Sequence, residues 1–275
     1  MRILFIGDIV GKPGRDLIRV GLPALVDHHA IDFVIANAEN AAGGFGITRE
    51  IGEQLLDAGV DVMTSGNHIW DKREALDYIG IEPRLLRPAN YPAGVPGNGS
   101  YLARSRTGVS IGVINVMGRV FMLNIDDPFS GVLRQIEVLK PRARIIFVDF
   151  HAEATSEKLA MGWHLDGKVT AVVGTHTHVQ TADERILPQG TAYLTDAGMT
   201  GPHDSIIGVE VEPALSRFLN ALPSKFETAT ANPRLNGVVI DADEATGRAV
   251  DVERISYSLA ELTELSNAGS LRPTV

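Results

Sequence analysis

The chain has no cysteine, so no disulfide can staple it and no thiolate can serve as a nucleophile or a soft metal ligand. It is also short of positive charge. Lys and Arg number 25 against 34 Asp and Glu, a formal charge of -9. Duplex nucleic acid demands a broad basic face that neutralises phosphates, and this balance argues against such a partner. A small phosphate ester remains compatible with it. No apolar run is long enough to span a bilayer. The run at residues 3–6 is too short for a secretory core and meets Asp8 almost at once, so a cytoplasmic protein with no membrane partner is expected. There is no internal repeat, low-complexity tract, charge block or compositional linker. What is present is a globular composition, 44% apolar and 21% charged, and 275 residues are enough for one large core; one domain over 1–275 is expected.

The apolar runs set the fold class. Residues 3–6, 32–38 and 60–64 read as strands. Between and after them lie helical patterns through Leu17–Val26, over 48–58, and from an N-cap at Asp71 backed by Glu74. This β-α-β-α-β-α order implies parallel strands with right-handed crossovers, an α/β protein. Short strands follow at 100–104 and 109–116, a helix from Asp127-Pro128 to Leu139, a buried strand at 145–150, a helix at 156–163 and a strand from Val169. After Gln180 the pattern turns to strands at 191–195, 206–211, 225–229, 236–241 and 248–256, with a hairpin at 241–247. Helices are expected at 213–221 and 259–265. These last strands are expected to be antiparallel and to form a second sheet stacked on the first.

Five of the apolar runs end abruptly in residues that bind metals. They run into Asp8, Glu39-Asn40, Asn67-His68, His151, and His176-Thr177-His178. Alternate residues of a strand share a face, so a His-x-His pair just past a strand end can aim at neighbouring points. Taken singly, each residue has an ordinary alternative. Asp8 can cap a helix, Glu39 and Asn40 can be turn residues, Asn67 can hold a left-handed turn, and His151 can be a satisfied core histidine. Their coincidence at the carboxyl ends of strands, where open α/β sheets bind ligands, is the argument for a site. Two carboxylates, two amides and four histidines form a mixed N/O donor set suited to zinc, iron or manganese. The set is large enough for two ions, with a carboxylate such as Glu39 between them. Other candidates are weaker. His28 and His29 sit where a helix dipole favours a cation, His164 lies inside a helix, and His203 on its loop is left without a role. Lys12 and Arg15 lack the Walker pattern and read as solvated charges.

Gly7-Asp8, Gly66-Asn67-His68, an isolated His151, and Gly174-Thr175-His176-Thr177-His178, in that order, resemble the calcineurin-like metallophosphoesterase superfamily. Val10 stands where that superfamily has its first histidine, Ala38-Glu39-Asn40 replaces its Gly-Asp, and Thr175 precedes the histidine pair. These departures, with the Asn37-Ala38-Glu39-Asn40-Ala41-Ala42-Gly43-Gly44 loop and Thr195-Asp196-Ala197-Gly198-Met199-Thr200-Gly201-Pro202, resemble its YmdB-like branch. The resemblance implies a four-layer α/β/β/α sandwich of two stacked mixed sheets flanked by helices. It implies a two-metal site in which Asp8, Glu39, Asn40 and His178 hold one ion. Glu39, Asn67, His151 and His176 hold the other, Glu39 bridges, and His68 is the catalytic acid. The implied ions are iron or manganese, with zinc as a further candidate. The implied activity is phosphoester hydrolysis, with 2′,3′-cyclic nucleotides or similar small phosphoesters as substrates, in a homo-oligomer. Two other functions fit the same donors: a metal- or nucleotide-sensing protein without catalysis, and a metal-dependent ester or amide hydrolase. A sensor would be expected to lose the acid, and His68 is present.

Overall fold

Alternate residues of the first strand face two different cores: Leu4 and Ile6 pack on one side, Ile3 and Phe5 on the other. That alternation sets the layering of the computed structural model, which describes residues 1–270. In chain order the elements are β1 (Arg2–Ile6), β2 (Asp8–Ile9), α1 (Gly11–His28), β3 (Phe33–Asn37), α2 (Arg49–Asp57), β4 (Val62–Thr64), α3 (Ala75–Ile81), β5 (Ser100–Arg104), β6 (Ser110–Met117) and α4 (Pro128–Leu139). They continue with β7 (Ile145–His151), α5 (Thr155–Leu165), β8 (Ala171–Thr175), β9 (Arg185–Ile186), β10 (Ala192–Leu194), β11 (Met199–Pro202), α6 (Val211–Asn220), β12 (Pro233–Ala242), β13 (Ala249–Ser258) and α7 (Leu259–Ser270). Residues 271–275 of the expected 1–275 unit lie outside the described residues.

Two mixed sheets result. One has the order β2-β11-β12-β1-β3-β4, with β13 on β12; the other has the order β5-β6-β7-β8-β10-β9. Three apolar layers hold them. The outer face of the first sheet packs on α1, α2, α3 and α7 through Leu17, Leu22, Leu55, Ile79 and Leu262. The inner faces meet through residues such as Phe5, Ile35, Val113 and Phe147, the two Phe rings 4.9 Å apart between centroids. The outer face of the second sheet packs on α4 and α5 through Val132, Ile136, Met161 and Leu165. The four-layer α/β/β/α sandwich is therefore observed. Local signals agree with it: Thr48 caps α2 at Ile51 N, and Asp127 caps α4 at Ser130 N with Pro128 in the first turn.

Several expectations are corrected. Of the strands expected after Gln180, 191–195 does join the second sheet as β10, antiparallel to β9, but the others do not build it. β12 and β13 join the first, because β12 pairs with β1 from Arg2↔Asp241 to Ile6↔Gly237. The second sheet comes instead from the middle of the chain, where β6, β7, β8 and β10 run parallel. Residues 206–211 are not a strand. The Ile206↔Val209 bridge closes a tight turn with positive φ at Ile207 and Gly208, and α6 starts at Val211. Residues 225–229 make only the isolated bridge Val209↔Thr228. The strand β11 was missed because its Met-Thr-Gly-Pro sequence carries no strand signal. It exists through pairing with β2 and β12. The helix expected from Asp71 starts only at Ala75, with no side-chain cap.

Candidate metal centre and active site

The five strand ends come from both sheets and meet at one edge of the sandwich. Asp8 opens β2 just past β1, Glu39 and Asn40 follow β3, Asn67 follows β4, His151 closes β7, and His176 and His178 follow β8. Asp8 and His151 are wholly buried, and Glu39 and Asn40 are 1% exposed, so four polar groups have left water at this edge. Two glycines allow the approach. A Cβ on Gly66 would stand 2.1 Å from the His151 ring, and one on Gly7 would stand 2.0 Å from the Gly198 carbonyl oxygen. His176 and His178 both adopt positive φ, 101° and 65°, which costs free energy for a non-glycine residue and needs support. That support is Asp196. Its carboxylate accepts from Thr177 N at 3.2 Å, Thr177 Oγ1 at 2.8 Å and Lys158 Nζ at 2.5 Å, and the Lys–Asp pair is buried beneath the loop.

The hydrogen bonds fix the His151 ring. The Thr175 hydroxyl donates to Asp149 Oδ1 at 2.7 Å, so His151 Nδ1, 2.9 Å from the same hydroxyl oxygen, must be the donor to it. Thr64 Oγ1 and Asn37 Nδ2 donate to the other Asp149 oxygen. A neutral His151 therefore presents a bare Nε2 lone pair to the site. Around that nitrogen lie Asn67 Oδ1 at 2.9 Å, Glu39 Oε1 at 3.0 Å and His176 Nδ1 at 3.1 Å. Among the described residues, Glu39, His151 and His176 offer ligand atoms all within 4.8 Å of one another. A single proton on His151 Nε2 satisfies one neighbour; a cation satisfies all four lone-pair atoms at once.

Electrostatics follow from this crowding. Burial disfavours a charged Glu39 carboxylate, but the adjoining His151 outweighs it and holds Glu39 down to about 2. Burial likewise disfavours a charged His151, and Glu39 outweighs it and raises His151. Burial and the neighbouring His151 push His176 down to about 3, leaving its ring neutral and able to act as a ligand. Burial lifts Asp149 to about 7, against the opposing pull of His151 and the two threonine hydroxyls.

A second group adjoins the first. His178 Nδ1 donates to the Ile207 carbonyl at 2.8 Å, which turns its Nε2 toward Asn40 Nδ2 at 3.2 Å and Asp8 Oδ1 at 3.8 Å. Asp8 Oδ2 accepts from His176 N, while Asp8 Oδ1 is buried with no hydrogen-bond partner, and burial raises the Asp8 pKa. A buried carboxylate oxygen without a donor is costly, and a cation at that oxygen removes the cost. The donor set thus fits the expected metals. Asn40 Nδ2 is also 3.5 Å from Glu39 Oε1, so turning that amide over presents its oxygen to the same place.

His68 stands apart from the donors. Its backbone N–H donates to Glu39 Oε2 at 2.9 Å, while its ring meets Asp71 Oδ2 through Nδ1 at 2.8 Å and Phe45 edge-on at 5.0 Å. The side chain is 30% exposed, open to an incoming molecule. Asp71, expected as a helix cap, orients this ring instead. The other histidines lie elsewhere. His29 meets Tyr257 at the end of α1, His164 packs on Phe129, and His203 bonds the Gly201 carbonyl and Asn236 beside His178. Lys12 is the solvated charge expected, paired with Asp16, whereas Arg15 is half-buried and donates to the Ala41 carbonyl. Sequence reasoning missed Asp149, Thr175, Asp196, Lys158 and Glu153, the last 3.1 Å from His176 Nε2.

A family model described as YmdB-like protein matches residues 4–255. A 2′,3′-cyclic-nucleotide 2′-phosphodiesterase of Bacillus subtilis is 52% identical over 255 residues, which is 93% of this chain and 96% of that protein. Two solved structures are similar throughout. A hypothetical protein from Thermus thermophilus superposes with a TM-score of 0.88 at 43% identity, over 94% of this chain and 99% of that one. A phosphatase from Mycoplasma pneumoniae superposes with a TM-score of 0.88 at 36% identity, over 94% of this chain and 93% of that one.

Proposed function

The chain belongs to the YmdB-like family, and from that premise we propose that it is a metal-dependent phosphodiesterase acting on 2′,3′-cyclic nucleotides or similar small phosphoesters. The observation that carries this is the convergence of Glu39, Asn67 and His176 on Nε2 of His151, beside a buried Asp8 oxygen that has no hydrogen-bond partner. Asp8, Glu39, Asn40 and His178 would hold one ion and Glu39, Asn67, His151 and His176 a second, with Glu39 shared. Nitrogen and oxygen donors without thiolate suit iron, manganese or zinc, and the family resemblance favours iron or manganese. Bound there, the ions would supply Lewis-acid activation of water and neutralise charge on the phosphoryl oxygens.

The chain's own groups do the rest. Thr175 and Asp149 hold His151 in one tautomer, as outer partners of metal-binding histidines do. Asp196 holds Thr177 and so sets both flanking histidines. His68, turned by Asp71, gives a proton to the departing ribose oxygen, which as an alkoxide is a poor leaving group. We read the 1–275 unit as one domain, since across the described residues the middle apolar layer joins the inner faces of both sheets. A homo-oligomer belongs to the same reading, favoured by the exposed Leu215, Phe218 and Leu219 of α6. Among the described residues no helix is long and apolar enough to cross a membrane.

The test is a panel of a 2′,3′-cyclic nucleotide, a phosphomonoester and a carboxylic ester, offered to the purified protein with and without chelator. Hydrolysis of the cyclic nucleotide, lost with chelator, is the expected result. Metal bound with no substrate turned over would establish the sensor instead, and turnover of the carboxylic ester alone would establish an acyl hydrolase.

A further inference from the structure

His178 belongs to two places. Its Nε2 faces Asp8 and Asn40, while its side chain also lines a cavity of about 360 Å³ with Val179, Met199, His203, Ile207 and Asn236. That volume is at the lower end of the roughly 300–1,000 Å³ of ligand pockets. Its floor is chemically defined. His203 Nδ1 donates to the Gly201 carbonyl at 3.0 Å, so His203 Nε2 is an acceptor and takes the Asn236 Nδ2 hydrogen at 3.1 Å. This chain of bonds fixes the Asn236 amide and leaves Oδ1 as its outstanding acceptor. Asn236 is 4% exposed, and its Oδ1 is buried with no hydrogen-bond partner. Asn236 lines the cavity, and an N–H or O–H donor placed against this oxygen would satisfy it. Beside Ser205, Arg234 and Ser256, the lining includes Val179 and Ile207, 61% and 56% exposed, apolar surface that a flat ring would cover.

We propose that this cavity is the nucleoside subsite, where the base of a phosphoester held at His178 lies between Val179 and Ile207 and donates a hydrogen bond to Asn236 Oδ1. The inference rests on the phosphodiesterase reading for the identity of the ligand. The geometry favours a nucleoside over a simple alkyl ester because one molecule must supply both an apolar face and a donor, beside the phosphate. Adenine, with its exocyclic amine, meets both demands. The carbonyl of Ile207 also holds His178 Nδ1, so the wall of the cavity and the orientation of a candidate ligand are set by one loop.

The test is equilibrium binding to the metal-loaded protein, comparing adenosine 2′-monophosphate with inorganic phosphate. This readout needs no turnover, so it stands even if no phosphodiester is hydrolysed. The nucleotide should bind more tightly than phosphate. In Asn236→Ala that preference should fall about tenfold, the size of one hydrogen bond. Val179→Asn, at an exposed position where folding is safe, should reduce the preference a few-fold and keeps the test alive if the buried variant does not fold. Equal affinity for nucleotide and phosphate in the wild type, or an unchanged preference in a folded variant, would overturn the subsite. Hydrolysis of no phosphodiester, with the nucleotide preference intact, would overturn the enzymatic reading and leave the subsite standing.

Discussion

His151 Nδ1 donates to the hydroxyl of Thr175 at 2.9 Å, and Thr175 passes its own hydrogen to Asp149. The ring nitrogen that faces the site is thereby defined from behind. Thr175→Val removes the acceptor of the His151 N–H and a donor to a buried carboxylate. Metal affinity should fall about 10–100-fold, the usual cost of losing such an outer partner. Metal titration followed by mass spectrometry under native conditions reads it. Unaltered affinity would mean that His151 is oriented by packing alone.

Glu39 touches both donor groups, through His151 Nε2 at 3.0 Å and Asn40 Nδ2 at 3.5 Å. Glu39→Gln keeps the volume and removes the charge. Both ions should be lost together. A variant that retained its full metal content would show that Glu39 is not the shared ligand, whatever its place in the structure.

His68 is set by Asp71 and stands outside the donor cluster. General acids contribute about 10²–10⁴-fold, and only where the leaving group needs a proton. His68→Ala should slow a ribose cyclic phosphate by about 10²-fold or more while sparing a nitrophenyl phosphodiester, with metal content constant. Asp71→Asn should show the same selectivity more weakly. Equal slowing of both substrates would make His68 a substrate-orienting residue.

Asp127 caps α4 by accepting from Ser130 N at 2.8 Å, and this bond, ahead of all other causes, lowers its pKa. A lowered folded pKa contributes stability that is present above the unfolded value of about 3.9 and is lost as pH falls through the folded one. Asp127→Ala should therefore cost about 1 kcal/mol at pH 7, and the gap to the parent should narrow below about pH 4. Denaturant unfolding at both pH values checks this. A gap independent of pH would remove the charge from the explanation.

How much of this was legible beforehand follows from where the information lies. The strand ends at Asp8, Glu39, Asn67, His151 and His176 were visible because an apolar run that stops at a polar residue is a local signal. The first three α/β units were visible for the same reason. The sheet to which β12 belongs was not, because its pairing with β1 is a contact of Arg2 with Asp241 across the whole chain. Strand β11 has no intrinsic strand character and is held by its neighbours. Asp149 did carry a signal, an acid within the buried run Phe147-Val148-Asp149-Phe150, but only the fold shows that Thr64 and Thr175 meet it there. Asp196 lies within the 195–202 motif, yet its role depends on Lys158 from α5, a partner that spacing cannot reveal.

We propose that this edge of the sandwich binds two metal ions that support phosphodiester hydrolysis. The most direct measurement is metal titration into the stripped protein, with ions per chain and hydrolysis of 2′,3′-cyclic AMP followed on the same samples. Activity should rise as occupancy goes from one ion per chain to two, and His151→Ala should stay inactive throughout. Full activity at one ion per chain, or two bound ions with the cyclic nucleotide untouched, would contradict it.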